Sequence, residues 1–395
     1  YHLLGKCLGT IFSSACKHHA LVTAFRAVVL ITLFITGYLA PINAIQRNQG
    51  SSDNANDISM APTTSISPTA LTADSAVMEA WASNPKLRMK QPDRVRRKVQ
   101  KLISDGCSLV RVVADFDKTL SRANLDDRKT KSSFSAFEND PVVVSDEVRA
   151  VCHGLLRKYY PIEVDPNLTR EEKIPHMLEW WGQSHTQLVS TGVKPEQFCD
   201  VARRADIHLR CRTIDMLKLL HETDVPCLVF SAGLGDIVRW VLVHNGALLP
   251  NMTLLSNFFT SKDGLTVEMP QNILHTFNKN GEYPPAQEYF AREEVRSRKN
   301  AILLGDMLGD CHMVDGAPGI VEEPQEDAKS DESQGDSASR NWSTVLKIGF
   351  LNEQIDERLS SFLDHFDIVL LDDQTMDVPL ELIKAITGSH RHQDQ

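Results

Sequence analysis

The sequence predicts an α/β fold with a Rossmann-like parallel-sheet core and an inserted helical cap domain. The first observation is an apolar segment near 108–115 with the pattern of a buried strand. The second is the gap of roughly 110 residues before the next such segment, near 225–231, which is too long for one crossover helix and indicates an insertion. The third is a series of further short apolar segments that read as strands, near 252–257, 301–305, 346–351 and 367–371.

Two segments precede the predicted core. Residues 1–44 carry a hydrophobic stretch, 20–44, with basic residues before it and near its start. This stretch fits a signal-peptide core, a short membrane anchor or an extension that is absent from the working protein, and the residues leave all three open. Residues 45–75 are rich in Ser, Thr, Asn, Asp and Ala and predict a disordered linker.

The catalytic core is expected to comprise residues 76–122 and 222–388, with the cap formed by 123–221. Inside the cap, Thr169 and Glu172 form a capping box that predicts the start of a helix. Residues 321–341 contain seven acidic residues without an apolar period. They predict an acidic disordered insert on the surface of the core.

Charge and cysteine content narrow the function classes. A net charge of −10 argues against binding to a nucleic acid polymer, which needs a basic face. A small anionic substrate remains compatible, because a metal ion and a lysine can make one pocket locally positive. The eight cysteines are scattered without a C-x-x-C pair, as in reduced cytosolic proteins. Membrane attachment is expected only through residues 20–44.

Chemically suggestive residues follow several of the predicted strands. Ligands of open α/β sheets bind beyond the carboxyl ends of the strands, so polar residues at those ends indicate a site. In chain order they are Asp115 and Asp117 after the first strand, Ser231-Ala232-Gly233 after the second, Lys279 in a loop, and Asp306 with Asp310 after a later strand.

This ordered set resembles the four motifs of the haloacid-dehalogenase-like phosphotransfer superfamily. A narrower resemblance, covering roughly residues 90–388 apart from the acidic insert, is to the cytosolic 5'-nucleotidase III (pyrimidine 5'-nucleotidase) family. The segments that carry it are Phe116, Thr119-Leu120-Ser121-Arg122, Ile162-Glu163-Val164-Asp165-Pro166, Ser184-His185, Phe230-Ser231-Ala232-Gly233, Ser256-Asn257-Phe258 and Leu346-Lys347-Ile348-Gly349-Phe350-Leu351-Asn352.

The resemblance implies a mechanism for hydrolysing a phosphate monoester. Asp115 would be the nucleophile that forms an aspartyl-phosphate, and Asp117 would protonate the leaving oxygen and then activate water. Mg²⁺ would be held by Asp115, Asp306 and the backbone carbonyl of Asp117, a set of oxygen ligands that suits this ion. Asp310 would orient metal-bound water or ligate the ion directly.

Further residues would hold the phosphate group. Ser231 offers a hydroxyl, and the backbone amides of Ala232 and Gly233 open a predicted helix, so these groups can bind phosphate oxygens. Lys279 would neutralise the same phosphate.

For the nucleoside, the resemblance assigns Glu163 and Ser184 to recognition. Phe134 and Phe137 stand where the family shows a cysteine-containing pattern, and each could stack on a base or belong to the core of the cap.

These observations predict a Mg²⁺-dependent 5'-nucleotidase acting on pyrimidine nucleoside 5'-monophosphates such as CMP and UMP, or on 7-methylguanosine monophosphate. One alternative is a phosphoserine-type small-metabolite phosphatase, against which Glu163 and Ser184 argue. Another is a non-catalytic phospho-accepting or binding module, which would not need Asp117. A cytoplasmic monomer is expected, unless residues 20–44 act as a membrane anchor or a secretory signal.

Overall fold

The computed structural model describes residues 73–388, except 127, 166, 262–266, 269, 271 and 322–342. The hydrophobic segment 1–44, the linker up to residue 72 and the acidic insert after Val321 therefore lie outside the described residues. Within the described part of the chain, no helix has both the length and the apolar character required to cross a bilayer.

The α-helices of the described residues are α1 Ala73–Ala82, α2 Pro92–Asp105, α3 Ser133–Glu138, α4 Asp146–Val164, α5 Arg170–Ser190, α6 Gln197–Arg204, α7 Thr213–Glu222, α8 Gly235–His244, α9 Pro284–Ala291, α10 Glu293–Arg296, α11 Ile355–His365 and α12 Asp377–Gly388. The strands are β1 Leu87–Arg88, β2 Val110–Ala114, β3 Asn124–Leu125, β4 Arg128–Lys129, β5 Cys227–Leu234, β6 Met252–Asn257, β7 Asn300–Gly305, β8 Val345–Leu351 and β9 Ile368–Leu371.

A seven-stranded sheet with the order β1-β9-β8-β7-β2-β5-β6 forms the centre of the fold. Its neighbouring strands are parallel except for the edge strand β1, which runs antiparallel to β9. All residues of β2 and β7 are buried, as expected for a parallel sheet that helices cover on both faces. The predicted α/β fold with a parallel core is confirmed.

Side chains of β2 alternate between two apolar clusters, one on each face of the sheet. Val112 and Ala114 pack in the larger cluster with residues of α2, α7, α8 and α12. Val113 packs in the second cluster with residues of α9. Because burying a large apolar side chain contributes roughly 1.5–3 kcal/mol, this two-sided core holds β2 firmly in place. The residues that follow β2 are consequently anchored to a rigid strand.

The structure moves one boundary and adds elements that the sequence did not predict. Helix α1 begins at Ala73, two residues before the expected end of the linker at residue 75. It is ordered because Val77, Met78 and Trp81 pack on the main core, and the Trp81 indole donates a hydrogen bond to Glu381 at 3.1 Å. The edge strand β1 and the small β3–β4 hairpin were also unpredicted, because two-residue strands carry no periodic signal.

Helices α3 to α6 occupy the chain between β4 and α7, within the predicted cap. The capping box at the start of α5 is present as predicted: the Thr169 hydroxyl accepts from the Glu172 amide, and the Glu172 carboxylate accepts from the Thr169 amide at 2.8 Å. The chain leaves the sheet after β2 and returns to it before β5, so these helices are tethered to the edge where Asp115 lies.

Candidate active site

The carboxyl edge of the sheet brings the predicted strand-end residues together. Strand β2 lies between β5 and β7. Asp115 directly follows β2, Ser231 lies in the last half of β5, and Asp306 directly follows β7. The Asp115 amide donates a hydrogen bond to the Leu304 carbonyl at 2.9 Å, which ties the end of β2 to β7. Three separate sequence motifs thus meet because parallel strands end at the same edge.

A cluster of three carboxylates lies at this edge. Asp115, Asp306 and Asp310 each place a carboxylate oxygen within 4.8 Å of the other two. Lys279 reaches the cluster from the loop between β6 and α9. Its ammonium donates to Asp115 at 2.7 Å and to Asp310 at 2.6 Å, and all three side chains are less than a tenth exposed.

Asp310 braces the turn that carries Asp306. One of its carboxylate oxygens accepts the Lys279 hydrogen bond, while the other accepts from the backbone amides of Asp306 and Met307 at 3.0 and 2.9 Å. Asp310 is therefore engaged on both oxygens by the protein itself. This arrangement favours a role in orienting Asp306 and Lys279 over direct ligation of a metal ion.

The buried carboxylates have raised pKa values. Burial raises the pKa of Asp115 to about 7, with Lys279 opposing the shift and Asp310 adding to it. Burial also raises the pKa of Asp306 well above its usual range, reinforced by the charges of Asp115 and Asp310. At Lys279 burial favours the neutral amine, but Asp115 and Asp310 outweigh it, so its pKa lies above the ordinary value.

The donor set fits a divalent cation of the magnesium type. When all three carboxylates are ionised, they face one ammonium group, so the cluster has excess negative charge that a bound cation would offset. Mg²⁺ is usually bound by one or two carboxylates together with phosphate oxygens of the substrate and water. The cluster offers such carboxylates and lies beside a cavity with space for a phosphate group. Asp115 and Asp310 pair with Lys279, whereas Asp306 has no ion pair within 4 Å among the described residues. The Asp306 carboxylate is therefore available to a metal ion.

Asp117 occupies a different position from the other acids. Its two carboxylate oxygens accept hydrogen bonds from the backbone amide and the hydroxyl of Ser133, at 2.7 and 2.6 Å. Burial raises the pKa of Asp117, and the two bonds from Ser133 oppose that shift. A side chain on Gly233 would collide with this pair, since an ideal Cβ would lie 2.6 Å from the Asp117 carboxylate. Sequence reasoning missed Ser133, because its partner lies 16 positions away.

The predicted phosphate-binding residues line the same cavity as the carboxylates. Ser231 is 1% exposed, and its hydroxyl accepts from the Gly233 amide at 3.2 Å. The Ala232 carbonyl accepts a hydrogen bond from the Trp181 indole at 3.2 Å. This bond connects helix α5 to the segment expected to hold phosphate.

A cavity of about 580 Å³ extends from the carboxylates to the helices of the predicted cap. Its volume suits a nucleotide-sized ligand. Away from the carboxylate cluster its wall includes four aromatic side chains, those of Phe134, Tyr160, Trp180 and Trp181, among polar and charged residues. Aromatic side chains of this kind can stack on a planar base.

Both residues assigned to the nucleoside line this cavity. The Glu163 carboxylate accepts a hydrogen bond from the Thr276 hydroxyl at 2.6 Å, and burial raises its pKa. Ser184 is 3% exposed. A second acid that sequence reasoning did not single out, Glu138, also lines the cavity, and burial raises its pKa to about 7.

The two phenylalanines after the first motif have different environments. Phe134 lines the cavity and stands edge-on to Trp181, with ring centroids 6.2 Å apart. Phe137 is fully buried and packs on Phe198, 5.7 Å away. Phe134 is therefore available to a base, whereas Phe137 belongs to the core.

His185 is buried beside the cavity, in an aromatic environment. Its ring stacks on that of Phe134, with centroids 5.6 Å apart, and meets that of Phe259 edge-on at 5.8 Å. In the part of the chain that the structure describes, neither ring nitrogen has a hydrogen-bond partner. Burial lowers its pKa from 6.5 to about 4. Between about pH 4 and pH 6.5, the His185 imidazole is therefore protonated in the unfolded chain and neutral in the folded protein. This group lowers the free energy of unfolding as pH falls from about 6.5 towards 4, by about 2 kcal/mol at pH 5.

Replacing His185 by Phe tests this sensitivity. His185→Phe keeps an aromatic ring and removes the titrating group, so we expect its free energy of unfolding to fall less than that of the wild type between pH 7.5 and pH 5. Urea unfolding at both pH values measures the difference. The exposed residue His365 supplies the control substitution, His365→Phe. Identical acid destabilisation of the wild type and His185→Phe would contradict the prediction.

Comparison with known proteins adds independent information. The family model described as Pyrimidine 5'-nucleotidase (UMPH-1) matches residues 118–323 and 327–387. The chain is 34% identical over 299 residues to the 7-methylguanosine phosphate-specific 5'-nucleotidase of Homo sapiens, covering 75% of this chain and 91% of the relative. It is 33% identical over 301 residues to the protein of that name from Gallus gallus, covering 76% and 96%. A solved structure of cytosolic 5'-nucleotidase IIIB bound to cytidine is similar with a TM-score of 0.66 and 31% identity, covering 80% of this chain and 99% of that one.

Proposed function

Because the chain belongs to the pyrimidine 5'-nucleotidase family, we propose that it is a Mg²⁺-dependent 5'-nucleotidase that works through an aspartyl-phosphate on Asp115. The substrates are nucleoside 5'-monophosphates, and the products are a nucleoside and inorganic phosphate. The observation that carries this proposal is the buried cluster of Asp115, Asp306, Asp310 and Lys279 at one end of a nucleotide-sized cavity.

The first half-reaction transfers the phosphoryl group to the protein. A carboxylate oxygen of Asp115 forms a bond to phosphorus while the bond from phosphorus to the sugar O5' breaks. Asp117 gives its proton to the departing O5', which becomes the hydroxyl of the nucleoside. The raised pKa of Asp117, caused by burial, supports the protonated form that this step needs.

The second half-reaction restores the enzyme. Asp117, now ionised, takes a proton from a water molecule whose oxygen attacks the phosphorus of the aspartyl-phosphate. The bond between phosphorus and Asp115 breaks, phosphate leaves, and Asp117 is protonated again. The hydrogen bonds from Ser133 would keep the Asp117 carboxyl in one place through both steps.

The phosphate group needs positive charge and hydrogen-bond donors in both steps. Mg²⁺ would be held by Asp115, Asp306 and the backbone carbonyl of Asp117, and would supply charge neutralisation for the phosphoryl oxygens. Asp310 would keep Asp306 oriented through the two amides that it binds. Lys279 would add a second positive charge next to the phosphate.

The other end of the cavity would select the base. CMP and UMP are the pyrimidine substrates proposed from the family, and the matched solved structure is named as bound to cytidine. 7-Methylguanosine monophosphate is the second candidate, because two similar relatives, those of Homo sapiens and Gallus gallus, are named for it. Its positively charged ring would be attracted to the faces of Phe134, Trp180 and Trp181, an interaction of about 0.5–2 kcal/mol.

A phosphate-release assay tests the function as a whole. The substrates would be CMP, UMP, 7-methylguanosine monophosphate, ribose 5-phosphate and phosphoserine, each with and without Mg²⁺. Preferential release from a nucleotide would support the proposal. Preferential release from phosphoserine would favour the small-metabolite phosphatase, and an absence of release from every compound would favour a non-catalytic module.

Glu163 is expected to read the base. Glu163→Ala should lower kcat/KM for the preferred nucleotide more than for ribose 5-phosphate, since removing one buried hydrogen bond to a ligand costs roughly 1–3 kcal/mol. Glu179→Ala is the matched control, because Glu179 lies on cap helix α5 and is 48% exposed. Equal losses on both substrates would show that Glu163 does not contact the base.

We propose the cytoplasm as the place of action, because the matched solved structure is that of a cytosolic enzyme. Cell fractionation of the full chain and of a chain without residues 1–44 tests this placement. Recovery of only the full chain in the membrane fraction would show instead that the hydrophobic segment acts as an anchor.

A further inference from the structure

A buried arginine outside the sequence motifs stands behind the loop that carries Asp117. Arg210 is 2% exposed and precedes helix α7, where the chain returns from the predicted cap to the sheet. Its guanidinium stacks on the ring of Phe350 in β8, with 4.3 Å between the Cζ atom and the ring centroid. Among the described residues, the hydrogen-bond acceptors of this guanidinium are three backbone carbonyls and one side-chain amide. A buried cation without a carboxylate in direct contact is unusual and calls for a role.

The loop that Arg210 faces has a strained backbone. Residues 116–120 form a turn in which Asp117 and Lys118 depart from helical dihedral angles. Lys118 has a φ of +60°, in the left-handed region, which costs on the order of 1–3 kcal/mol for a residue other than glycine. Such a conformation persists only where neighbouring groups hold it.

Arg210 binds three successive carbonyls of this loop. One guanidinium Nη donates to the Lys118 carbonyl, Nε donates to the Thr119 carbonyl at 2.6 Å, and the backbone amide of Arg210 donates to the Leu120 carbonyl at 2.9 Å. Asn352 completes the network, because its amide group donates to the Lys118 carbonyl at 3.1 Å and accepts from Arg210 at 2.9 Å.

The same guanidinium fixes the loop to the carboxyl ends of two other strands. Its second Nη donates to the Asp373 carbonyl just after β9, and Asn352 directly follows β8. A guanidinium presents its donors in a rigid planar fork, which sets the spacing between the groups that it binds. Lysine would keep the charge but could not reproduce this spacing.

We propose that Arg210 is a positioning residue for nucleotide hydrolysis, which holds the 116–120 loop in the conformation that places the Asp117 carboxyl beside the phosphoryl group on Asp115. Arg210 acts through the backbone of the loop, whereas Ser133 holds the carboxylate itself. The inference rests on the proposed function, because it presumes the roles of Asp115 and Asp117.

The test compares Arg210→Lys with a matched control, Arg298→Lys. Arg298 also donates to backbone carbonyls, those of Cys107, Val110 and Asp224, but at the opposite edge of the sheet. We expect Arg210→Lys to lower kcat by about 10²-fold, as small misplacements of catalytic groups do, with KM changed by less than about threefold. Arg298→Lys should leave kcat within about threefold of the wild type. Amide hydrogen exchange at residues 118–121 should accelerate only in Arg210→Lys.

Several outcomes would overturn the inference. It fails if Arg210→Lys keeps kcat within about threefold of the wild type, or if Arg298→Lys loses as much. If Arg210→Lys does not fold, Asn352→Ala decides, because it removes the second donor to Lys118: kcat should then fall about tenfold with unchanged KM. A wild type that hydrolyses no nucleotide would instead refute the proposed function. The anchoring of the loop can still be tested in that case. It would also be refuted if amide hydrogen exchange at residues 118–121 were equal in the wild type, Arg210→Lys and Arg298→Lys.

Discussion

Asp115→Asn is expected to abolish phosphate release from nucleoside monophosphates. An amide at this position is a very poor nucleophile, and loss of a nucleophile that works with partner groups lowers turnover on the order of 10⁴–10⁶-fold. The side chain keeps its shape and can still accept a hydrogen bond from Lys279, so the fold and the cavity should remain. Binding of the nucleotide is therefore expected to persist while chemistry stops.

The roles of the two acids can be separated in one experiment. Asp117→Asn should lower kcat by about 10²–10⁴-fold, the usual contribution of general acid–base catalysis. Acid quenching after mixing with nucleotide labelled in its phosphate should recover protein-bound phosphate from the wild type and none from Asp115→Asn. Asp200→Asn, at a position 58% exposed on its side chain, is the control. Phosphate release by Asp115→Asn close to that of the wild type would remove Asp115 as the nucleophile.

Removal of the metal is expected to lower turnover about as much as Asp115→Asn does. Treatment with EDTA should abolish activity, and Mg²⁺ should restore it, because the buried carboxylates would otherwise repel the phosphate group. Asp306→Asn should need at least about 10-fold more Mg²⁺ for half-maximal activity. This prediction follows from the position of Asp306 in the cluster and the lack of an ion-pair partner for it among the described residues.

Stability provides a second measure of metal binding. Mg²⁺ should raise the thermal unfolding midpoint of the wild type, since a ligand that binds only the folded state stabilises it by mass action. The rise should be much smaller in Asp306→Asn. The control is Asp146→Asn, because the Asp146 side chain is exposed. Asp367 would be a poor choice, since its largely buried carboxylate pairs with Lys98. Full activity of the enzyme in EDTA would contradict the assignment of Asp306 as a ligand of a required metal ion. An equal rise of the unfolding midpoint with Mg²⁺ in the wild type and Asp306→Asn would contradict it as well.

Much of the catalytic end of the site was predictable from sequence. Asp115 and Asp306 could be located because each follows an apolar segment of strand length, and Ser231 because it ends another. Since the strands of a parallel sheet end at one edge, local strand signals are enough to predict that these residues meet. Lys279 was predictable only through its order among the motifs, because the loop that carries it has no periodic signal.

The nucleoside end was less predictable. Phe134 and Phe137 differ by three positions in one short helix, yet one lines the cavity and the other is fully buried. Which face of that helix meets the core depends on how it packs, and six residues carry too little pattern to decide. The partner of Glu163, Thr276, lies 113 positions away and could not be inferred from either segment.

By itself, the sequence determined the α/β class, the parallel core and the strand ends at which the acids lie, because apolar periodicity and strand-end position are local properties of the chain. Only the tertiary structure decided which groups restrain those acids. The contacts of Asp117 with Ser133, of Asp310 with the Asp306 turn and of Arg210 with the 116–120 loop join segments that meet through the path of the chain. Their physical basis is the pairing of buried polar groups, which must find partners wherever the fold brings them.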